Sequence, residues 1–333
     1  MSVQLSPQMI NHPLSVAPML KWTDLHHRYL MRLISRHTLL YTEMVTTGAL
    51  IYGDRDRYLA YNAEEHPVCL QLGGSNPEEL AACSKMVEVA GFDEVNLNLG
   101  CPSDRVQSGK FGACLMLDHQ RVRACIEAMI ESVDIPVTAK IRIGVDEQDS
   151  YEHLHEFTAM LIEAGCKTII VHARKAWLSG LSPKENREIP PLDYPAVYRL
   201  TQDFPDTLFV INGGIETFEQ IEQQHRHVDG VMVGRAAYHN PYLLAEADQK
   251  LYGSTALIKS RHQIALEYCD YIEQQCSKGV RLNKLSRHIL GLFQGEKGAK
   301  RFRRLISENA HKDSYGPELI HKALYFTCGD QAA

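Results

Sequence analysis

A short stretch of the sequence alternates amides with apolar residues and then reaches a cysteine. Asn96 and Asn98 are separated by one residue, so both fall on the same face of a predicted strand. Amides buried in a protein interior are costly unless they are paired or contact a ligand. Cys101 follows directly, in a loop shaped by Pro102 and nearby glycines, where a thiol could act on a bound substrate. A small buried apolar role is the alternative here, and it is the expected role of the other eight cysteines.

Two cations and a histidine end the next two apolar runs. Lys140 and Arg142 share one face of a predicted strand, and cations that point into a protein interior require an anionic partner, either a protein group or a ligand. His172 ends the following run, where a structural histidine with satisfied hydrogen bonds is the alternative to a ligand contact. Gln71 ends an earlier run and offers both donors and acceptors, which suit the edge of a heterocycle or, equally, a paired core position.

Glycines follow two late strands and predict a phosphate site. One predicted strand ends at Asn212, followed by Gly213 and Gly214, and the last one ends at Gly234 and Arg235. In parallel barrels phosphate commonly binds after the seventh and eighth strands, where glycine lets the backbone approach and arginine adds a charged fork. An ordinary pair of glycine turns is the alternative.

The first predicted strand ends in Ala17, Pro18 and Met19. Small and apolar side chains at this point would let a flat ring system approach the backbone. A strand followed by an ordinary turn is the alternative.

Eight apolar, β-branched runs alternate with helical patterns and would position these residues. Strands are predicted near 14–19, 39–44, 67–72, 93–99, 135–141, 166–173, 207–212 and 228–233. Helices with one apolar face are predicted over 77–90, 118–133 and 151–164. The alternation favours an α/β fold, a (β/α)8 TIM barrel, with its chemistry at the carboxyl ends of the strands. An open doubly wound sheet is the rival, and the absence of G-x-G-x-x-G counts against it.

After residue 257 the strand pattern stops, and the chain becomes helical and locally basic. We expect a catalytic barrel domain over 1–250 and an all-helical domain over 251–333. The net charge is −6, yet residues 281–304 hold eight cations against one acid. One helical face there carries Leu282, Leu285, Ile289 and Leu292, and the other carries Arg281, Lys284, Arg287 and His288. Such a surface fits contacts to a phosphate backbone better than a merely solvated face.

The composition excludes several classes of protein. With 333 residues, 44% hydrophobic and 23% charged, the chain is neither collagen-like nor disordered. No apolar stretch is long enough to span a membrane, and the first residues lack a secretory signal. Nine cysteines, an odd number without C-x-x-C, fit reduced thiols in the cytoplasm rather than a zinc or iron–sulfur site. We expect no metal and no obligate protein partner.

Together these motifs resemble the tRNA-dihydrouridine synthase family over essentially the full length of the chain. The resemblance rests on Val16-Ala17-Pro18-Met19, Asn96-Leu97-Asn98-Leu99-Gly100-Cys101-Pro102-Ser103, Ala139-Lys140-Ile141-Arg142, Val171-His172-Ala173-Arg174 and Asn212-Gly213-Gly214-Ile215. The run from His172 to Arg187 is similar to the A subfamily, which acts on D-loop uridines 20 and 20a of tRNA.

The resemblance implies a TIM barrel that binds FMN, a helical tRNA-binding domain and NADPH as a transient reductant. It further implies that hydride passes to C6 of uracil while Cys101 donates a proton to C5, so that the thiol stays protonated until then. The residues it assigns to FMN are Ala17, Pro18, Met19, Gln71, Lys140, His172, Asn212, Gly213, Gly214, Gly234 and Arg235. Those it assigns to tRNA are Asn98, Lys184, Arg187, Lys300 and Arg303.

Two other functions stay open at this point. One is an FMN barrel oxidoreductase that acts on a free pyrimidine or an enone, similar to dihydroorotate dehydrogenases, although such a substrate needs no basic helical tail. The other is a non-enzymatic RNA-binding protein on a relict barrel. The strand ends still carry side chains that could bind a cofactor or transfer a proton, which counts against this interpretation. These are Gln71, Cys101, Lys140 and His172.

Overall fold

The computed structural model describes residues 13–103 and 109–327. Its eight barrel strands are Leu14–Val16, Leu39–Tyr41, Val68–Gly73, Glu94–Asn98, Val137–Arg142, Thr168–His172, Leu208–Asn212 and Gly230–Val233. Each pairs in parallel with the next along the chain, and the first also pairs with the eighth. A two-residue strand, Val45–Thr46, pairs with the third. The TIM-barrel prediction is confirmed, and closure of the ring excludes an open sheet.

Helices connect the strands, as parallel pairing requires. In the barrel they are Thr47–Tyr52, Arg55–Leu59, Pro77–Val89, His119–Ser132, Tyr151–Glu163, Tyr194–Asp203 and Phe218–Gln224, with 3₁₀ turns at Ala63–Glu65, Gly112–Leu117 and Glu185–Arg187. The apolar faces predicted over 77–90, 118–133 and 151–164 are largely buried, as Val122 and Ile126 illustrate. Asp118 caps the helix that starts at His119, because its carboxylate accepts the N–H of Arg121.

The described residues fall into two compact units. Residues 13–20 and 39–234 form the barrel unit, and residues 21–38 and 235–327 form the helical unit. The helical unit contains Leu25–Ile34, Arg235–His239, Ala247–Tyr252, Arg261–Ser277, Leu282–Ser286, Ala299–Asn309 and Glu318–Leu324, with 3₁₀ turns at Pro241–Leu244 and Ile289–Gly291. No helix in the described ranges is long and apolar enough to cross a membrane.

This division differs from the boundary predicted between residues 250 and 251. The helical unit includes an early segment, 21–38, because Asp24 forms ion pairs with Arg287 and, at 3.0 Å, with His288. Asp24 and His288 are 264 positions apart, and no local pattern announces such a contact. The assignment of catalysis to 1–250 and of tRNA binding to 251–333 stays a prediction.

The basic segment has the buried apolar face that its pattern predicts, since Leu285, Ile289 and Leu292 are fully buried. His288 is an exception, because the pattern places it on the exposed basic face and the structure leaves it only 1% exposed. The carboxylate of Asp24 accounts for the difference. Burial alone would raise the pKa of Asp24, but the hydrogen bond and charge of His288 outweigh burial and hold it well below its usual range.

Candidate active site

The carboxyl ends of the central strands bring the predicted polar residues together. Strand pairing sets Asn98 opposite Lys140, Arg142 opposite His172, and His172 opposite Asn212. These positions lie at one edge of the barrel, because all eight strands are parallel. It is the edge at which TIM barrels place their ligands.

The loop after the fourth strand carries Cys101 and is held from two directions. The side-chain oxygen of Asn98 accepts the backbone N–H groups of Gly100 at 3.3 Å and of Cys101 at 3.1 Å. The guanidinium of Arg142 donates to the carbonyl oxygen of Gly100 at 3.1 Å. The thiol of Cys101 is partly exposed and donates to the hydroxyl of Ser103 at 3.5 Å. A thiol therefore stands at the barrel edge on an anchored backbone.

Inside the barrel a continuous chain of hydrogen bonds starts from Asn98. Its Nδ2 donates to Oε1 of Gln71 at 2.8 Å, and Nε2 of Gln71 donates to Oδ1 of Asn96 at 2.9 Å. Nδ2 of Asn96 donates to the hydroxyl of Thr138 at 2.8 Å, and that hydroxyl donates to Oε1 of Glu94 at 2.7 Å. The buried amides are thus paired with one another, which removes the cost of burying them.

Glu94 is a residue of this interior that the sequence analysis did not single out. Its carboxyl is 2% exposed and accepts the hydroxyl of Tyr41 at 2.8 Å in addition to that of Thr138. Burial raises the pKa of Glu94 and that of Tyr41. A signal was available in the sequence, because Glu94 precedes Asn96 by two residues and Asn98 by four and so shares their face of the strand.

The two cations of the fifth strand donate to neutral oxygens. Nζ of Lys140 donates to Oδ1 of Asn212 at 3.0 Å. Arg142 is buried and donates to three backbone carbonyl oxygens, those of Gly100, Lys175 and Asn186. Burial lowers the pKa of Lys140 to about 7 and that of Arg142 to about 10. The hydrogen-bond partners of both cations in the described ranges are thus neutral oxygens, and an anionic ligand beside them stays a prediction.

The glycines after the seventh strand have an unusual backbone, and the glycine after the eighth strand has open space beside it. Gly213 and Gly214 have φ angles of 120° and 69°, in the left-handed region that favours glycine. A Cβ at Gly213 would lie 2.8 Å from the ring of His172, whereas a Cβ at Gly234 would meet no described atom within 4 Å. Arg235 follows as the first residue of a five-residue helix that belongs to the helical unit.

The remaining residues assigned to the cofactor lie at the ends of the sixth and first strands. Burial, followed by the charges of the two neighbouring cations, holds the pKa of His172 well below its usual range, so its ring is neutral at pH 7. Ala17 is buried in the apolar core of the barrel. Pro18 and Met19 come next and are partly exposed.

The residues predicted to contact tRNA lie in different surroundings. Lys184 and Arg187 are exposed on the long loop after the sixth strand. Lys300 is exposed in the helical unit, and Arg303 donates to a glutamine side chain there at 2.9 Å. Asn98, in contrast, is 8% exposed, and both atoms of its amide are hydrogen-bonded within the barrel. Its observed contacts hold the cysteine loop, and its contact with tRNA stays a prediction.

Asn186 is a second residue that the sequence analysis did not single out. It lies between Lys184 and Arg187 in the same loop, but its side chain is buried. Its Oδ1 accepts the N–H of Trp177 at 2.8 Å. Its Nδ2 donates to three carbonyl oxygens, those of Trp177, Leu181 and Ser182. No local pattern distinguishes it from a solvated loop asparagine, because its partners become visible only when the loop is folded.

The fold and the site together define a class of protein. A closed parallel barrel with a cysteine loop, a lysine of lowered pKa and glycines at one edge is a TIM-barrel enzyme with its ligand site at the carboxyl ends of the strands. Within the described ranges, no three His, Cys, Asp or Glu side chains are grouped to hold a metal ion. The chain matches the Dihydrouridine synthase (Dus) family over residues 15–325 and belongs to that family. The family resemblance drawn from the motifs is confirmed.

Several relatives are similar over most of their length. The chain is 60% identical to the tRNA-dihydrouridine(20/20a) synthase of Vibrio vulnificus, covering 93% of this chain and 95% of that protein. It is 57% identical to the proteins of the same name from Shewanella oneidensis, covering 94% and 93%, and from Escherichia coli K12, covering 93% and 90%. Among solved structures, a complex of 2-naphthoyl-CoA reductase with 2-naphthoyl-CoA has a TM-score of 0.56 at 11% identity, covering 71% of this chain and 50% of that one. That likeness concerns the fold alone.

Proposed function

We propose that this protein reduces uridine to 5,6-dihydrouridine in the D-loop of tRNA, at positions 20 and 20a, with bound FMN and with NADPH as the transient reductant. The observation that carries the proposal is the position of Cys101, on a loop held by Asn98 and Arg142 at the carboxyl edge of the barrel, one strand away from Lys140. Membership of the Dihydrouridine synthase family supports the reaction, and the names of the relatives support tRNA and its positions.

The residues at this edge fit FMN. Gly213 and Gly214 have positive φ angles and no Cβ, which suits a backbone that a phosphate approaches closely. Lys140 offers a donor whose charged form is favoured as soon as an anion lies beside it. The phosphate would be held by Asn212, Gly213, Gly214 and Gly234, and the ring system by Ala17, Pro18, Met19, Gln71, Lys140 and His172. Arg235 belongs to the helical unit, and its contact with the phosphate stays a prediction.

Cys101 would supply the proton of the reaction. When bound and reduced, FMN supplies a hydride to C6 of the uracil ring. The S–H bond of Cys101 breaks as the new C5–H bond forms, and the thiolate is reprotonated from solvent. Asn98 and Arg142 contact the backbone of the loop, and Ser103 accepts from the sulfur itself, so the thiol is oriented mainly through its backbone.

Cations of both units would position the tRNA. Lys184 and Arg187 on the barrel, and Lys300 and Arg303 in the helical unit, can contact phosphates, which give register and affinity but no sequence information. A uridine within folded tRNA is stacked, so the base must be turned out of the loop to reach Cys101. The chain is acidic overall but has a basic helical segment, as expected if the helical segment binds phosphates while the barrel binds the base.

We infer that the protein works in the cytoplasm. The proposed substrate is found there, and the eight cysteines in the described ranges are free thiols, which persist in a reducing compartment. No obligate protein partner is proposed.

Incubation of the purified protein with NADPH and tRNA transcribed without modifications tests this function. We expect a yellow protein with flavin absorption and, in the absence of oxygen, dihydrouridine that maps to positions 20 and 20a in an amount equal to the NADPH consumed. Preferential reduction of a free pyrimidine would point to a small-molecule oxidoreductase instead. A colourless protein that binds tRNA without modifying it would point to an RNA-binding role.

A further inference from the structure

The hydrogen-bond chain inside the barrel runs in one direction. Donation starts at the backbone N–H of Cys101 and passes through the side chains of Asn98, Gln71, Asn96 and Thr138 to Glu94. The donor–acceptor distances lie between 2.7 and 3.1 Å. Every amide in it turns its NH₂ group toward Glu94 and its oxygen toward Cys101.

The direction of the chain is set at its two ends. An amide side chain can exchange donor and acceptor by a half-turn, so the middle of the chain has no preference of its own. The N–H of Cys101 can only donate, and Oε1 of Glu94 accepts from both Thr138 and Tyr41. In a reversed chain the NH₂ group of Asn98 would face the N–H of Cys101, and two buried donors would oppose each other.

We propose that Glu94 is a positioning residue for Cys101, acting through Thr138 and the three amides on the turn that carries the thiol. The strand from Glu94 to Asn98 separates the carboxyl from the active edge by about 13 Å, at about 3.3 Å per residue. Glu94 therefore acts through its hydrogen-bonded neighbours rather than by contact with the substrate. This inference rests on the proposed function for its catalytic meaning, but not for the geometry of the chain.

Thr138→Val and Tyr41→Phe form a matched pair that tests the proposal. Each removes one buried hydroxyl that donates to the same oxygen of Glu94, with little change of side-chain shape. Only Thr138→Val interrupts the path to Cys101. Two rates are measured in each variant: alkylation of Cys101 by iodoacetamide, followed by peptide mass spectrometry, and single-turnover reduction of unmodified tRNA by the pre-reduced holoenzyme.

We expect Thr138→Val to alkylate Cys101 about fivefold faster than the wild type, because the turn loses part of its anchor, and to reduce uridine about tenfold more slowly. Reduction of the flavin by NADPH should be unchanged. Tyr41→Phe should stay within about twofold of the wild type in both rates. Equal alkylation rates in the two variants, at equal melting temperatures, would overturn the proposal, and so would slower alkylation in Thr138→Val.

Variants of Glu94 itself provide a second test of the proposal. Glu94→Leu removes the terminal acceptor and should reproduce the effects of Thr138→Val. Glu94→Gln keeps an oxygen that can accept from both hydroxyls, so it should recover most of what Glu94→Leu loses. A Glu94→Gln variant as impaired as Glu94→Leu would contradict a role in setting the direction of the chain. If the wild type reduces no uridine, the proposed function fails, while the alkylation rates still decide whether Glu94 positions Cys101.

Discussion

Replacement of Lys140 by methionine should change how the midpoint potential of the bound flavin depends on pH. Burial, with a smaller effect from the charge of Arg142, lowers the pKa of Lys140 from its ordinary 10.5 to about 7. With this pKa the amine is neutral in about nine molecules out of ten at pH 8, and we expect it to stay so beside the oxidised, uncharged ring system. Reduction adds negative charge beside the amine and favours its protonated form, so Lys140 takes up a proton together with the electrons.

The size of the effect follows from this pKa. One extra proton for two electrons steepens the fall of the potential by about 30 mV per pH unit. Lys140 contributes about 0.9 of a proton at pH 8 and about 0.1 at pH 6, where it is already charged. The slopes of the wild type and of Lys140→Met should therefore differ by about 25 to 30 mV per pH unit near pH 8 and agree at pH 6.

Spectroelectrochemical titration of the flavin between pH 6 and pH 9 measures these slopes. Lys300→Met is the matched control, since it removes an exposed lysine of the helical unit, and it should follow the wild type throughout. Parallel lines for the wild type and Lys140→Met above pH 7 would refute the reasoning, because they would mean that Lys140 does not change its charge when the flavin is reduced.

Three further predictions concern the thiol, the basic helices and the glycine edge. Cys101→Ala should retain FMN and its reduction by NADPH but lose about 10²- to 10⁴-fold in single-turnover uridine reduction; unchanged turnover would remove the thiol from the reaction. Lys300→Glu combined with Arg303→Glu should weaken tRNA binding, and log affinity should fall less steeply with log salt concentration, by about 1.5 in the slope. NADPH oxidation by oxygen should be unaffected. Equal affinity in filter binding would contradict a tRNA contact here. Gly213→Ala should lower the free energy of unfolding by about 1–3 kcal/mol, because a φ of 120° strains alanine and its Cβ would lie 2.8 Å from a histidine ring. An unchanged melting temperature in calorimetry would show that the backbone after the seventh strand accommodates alanine without strain.

Much of the fold could be predicted from the sequence, because strand and helix periodicity is local. Eight apolar runs corresponded to eight strands, and the closed barrel that their alternation with helices favoured was observed. The alternation of Asn96 and Asn98 placed both amides on one face, as observed. The same reasoning extended by two residues would have reached Glu94, whose presence at a buried position departs from the usual exposure of glutamate.

By itself the sequence determined the fold class, the family and the types of residue at each strand end, because these depend on neighbours a few positions apart. Only the tertiary structure decided which groups meet. It showed that Arg142 donates to three carbonyl oxygens in two loops, that Asn98 anchors the cysteine turn, and that Asp24 pairs with His288. Each of these contacts joins polar groups at about 3 Å. Two groups that are distant in the chain come that close only when whole strands and helices pack in one particular way, and no local pattern encodes that packing.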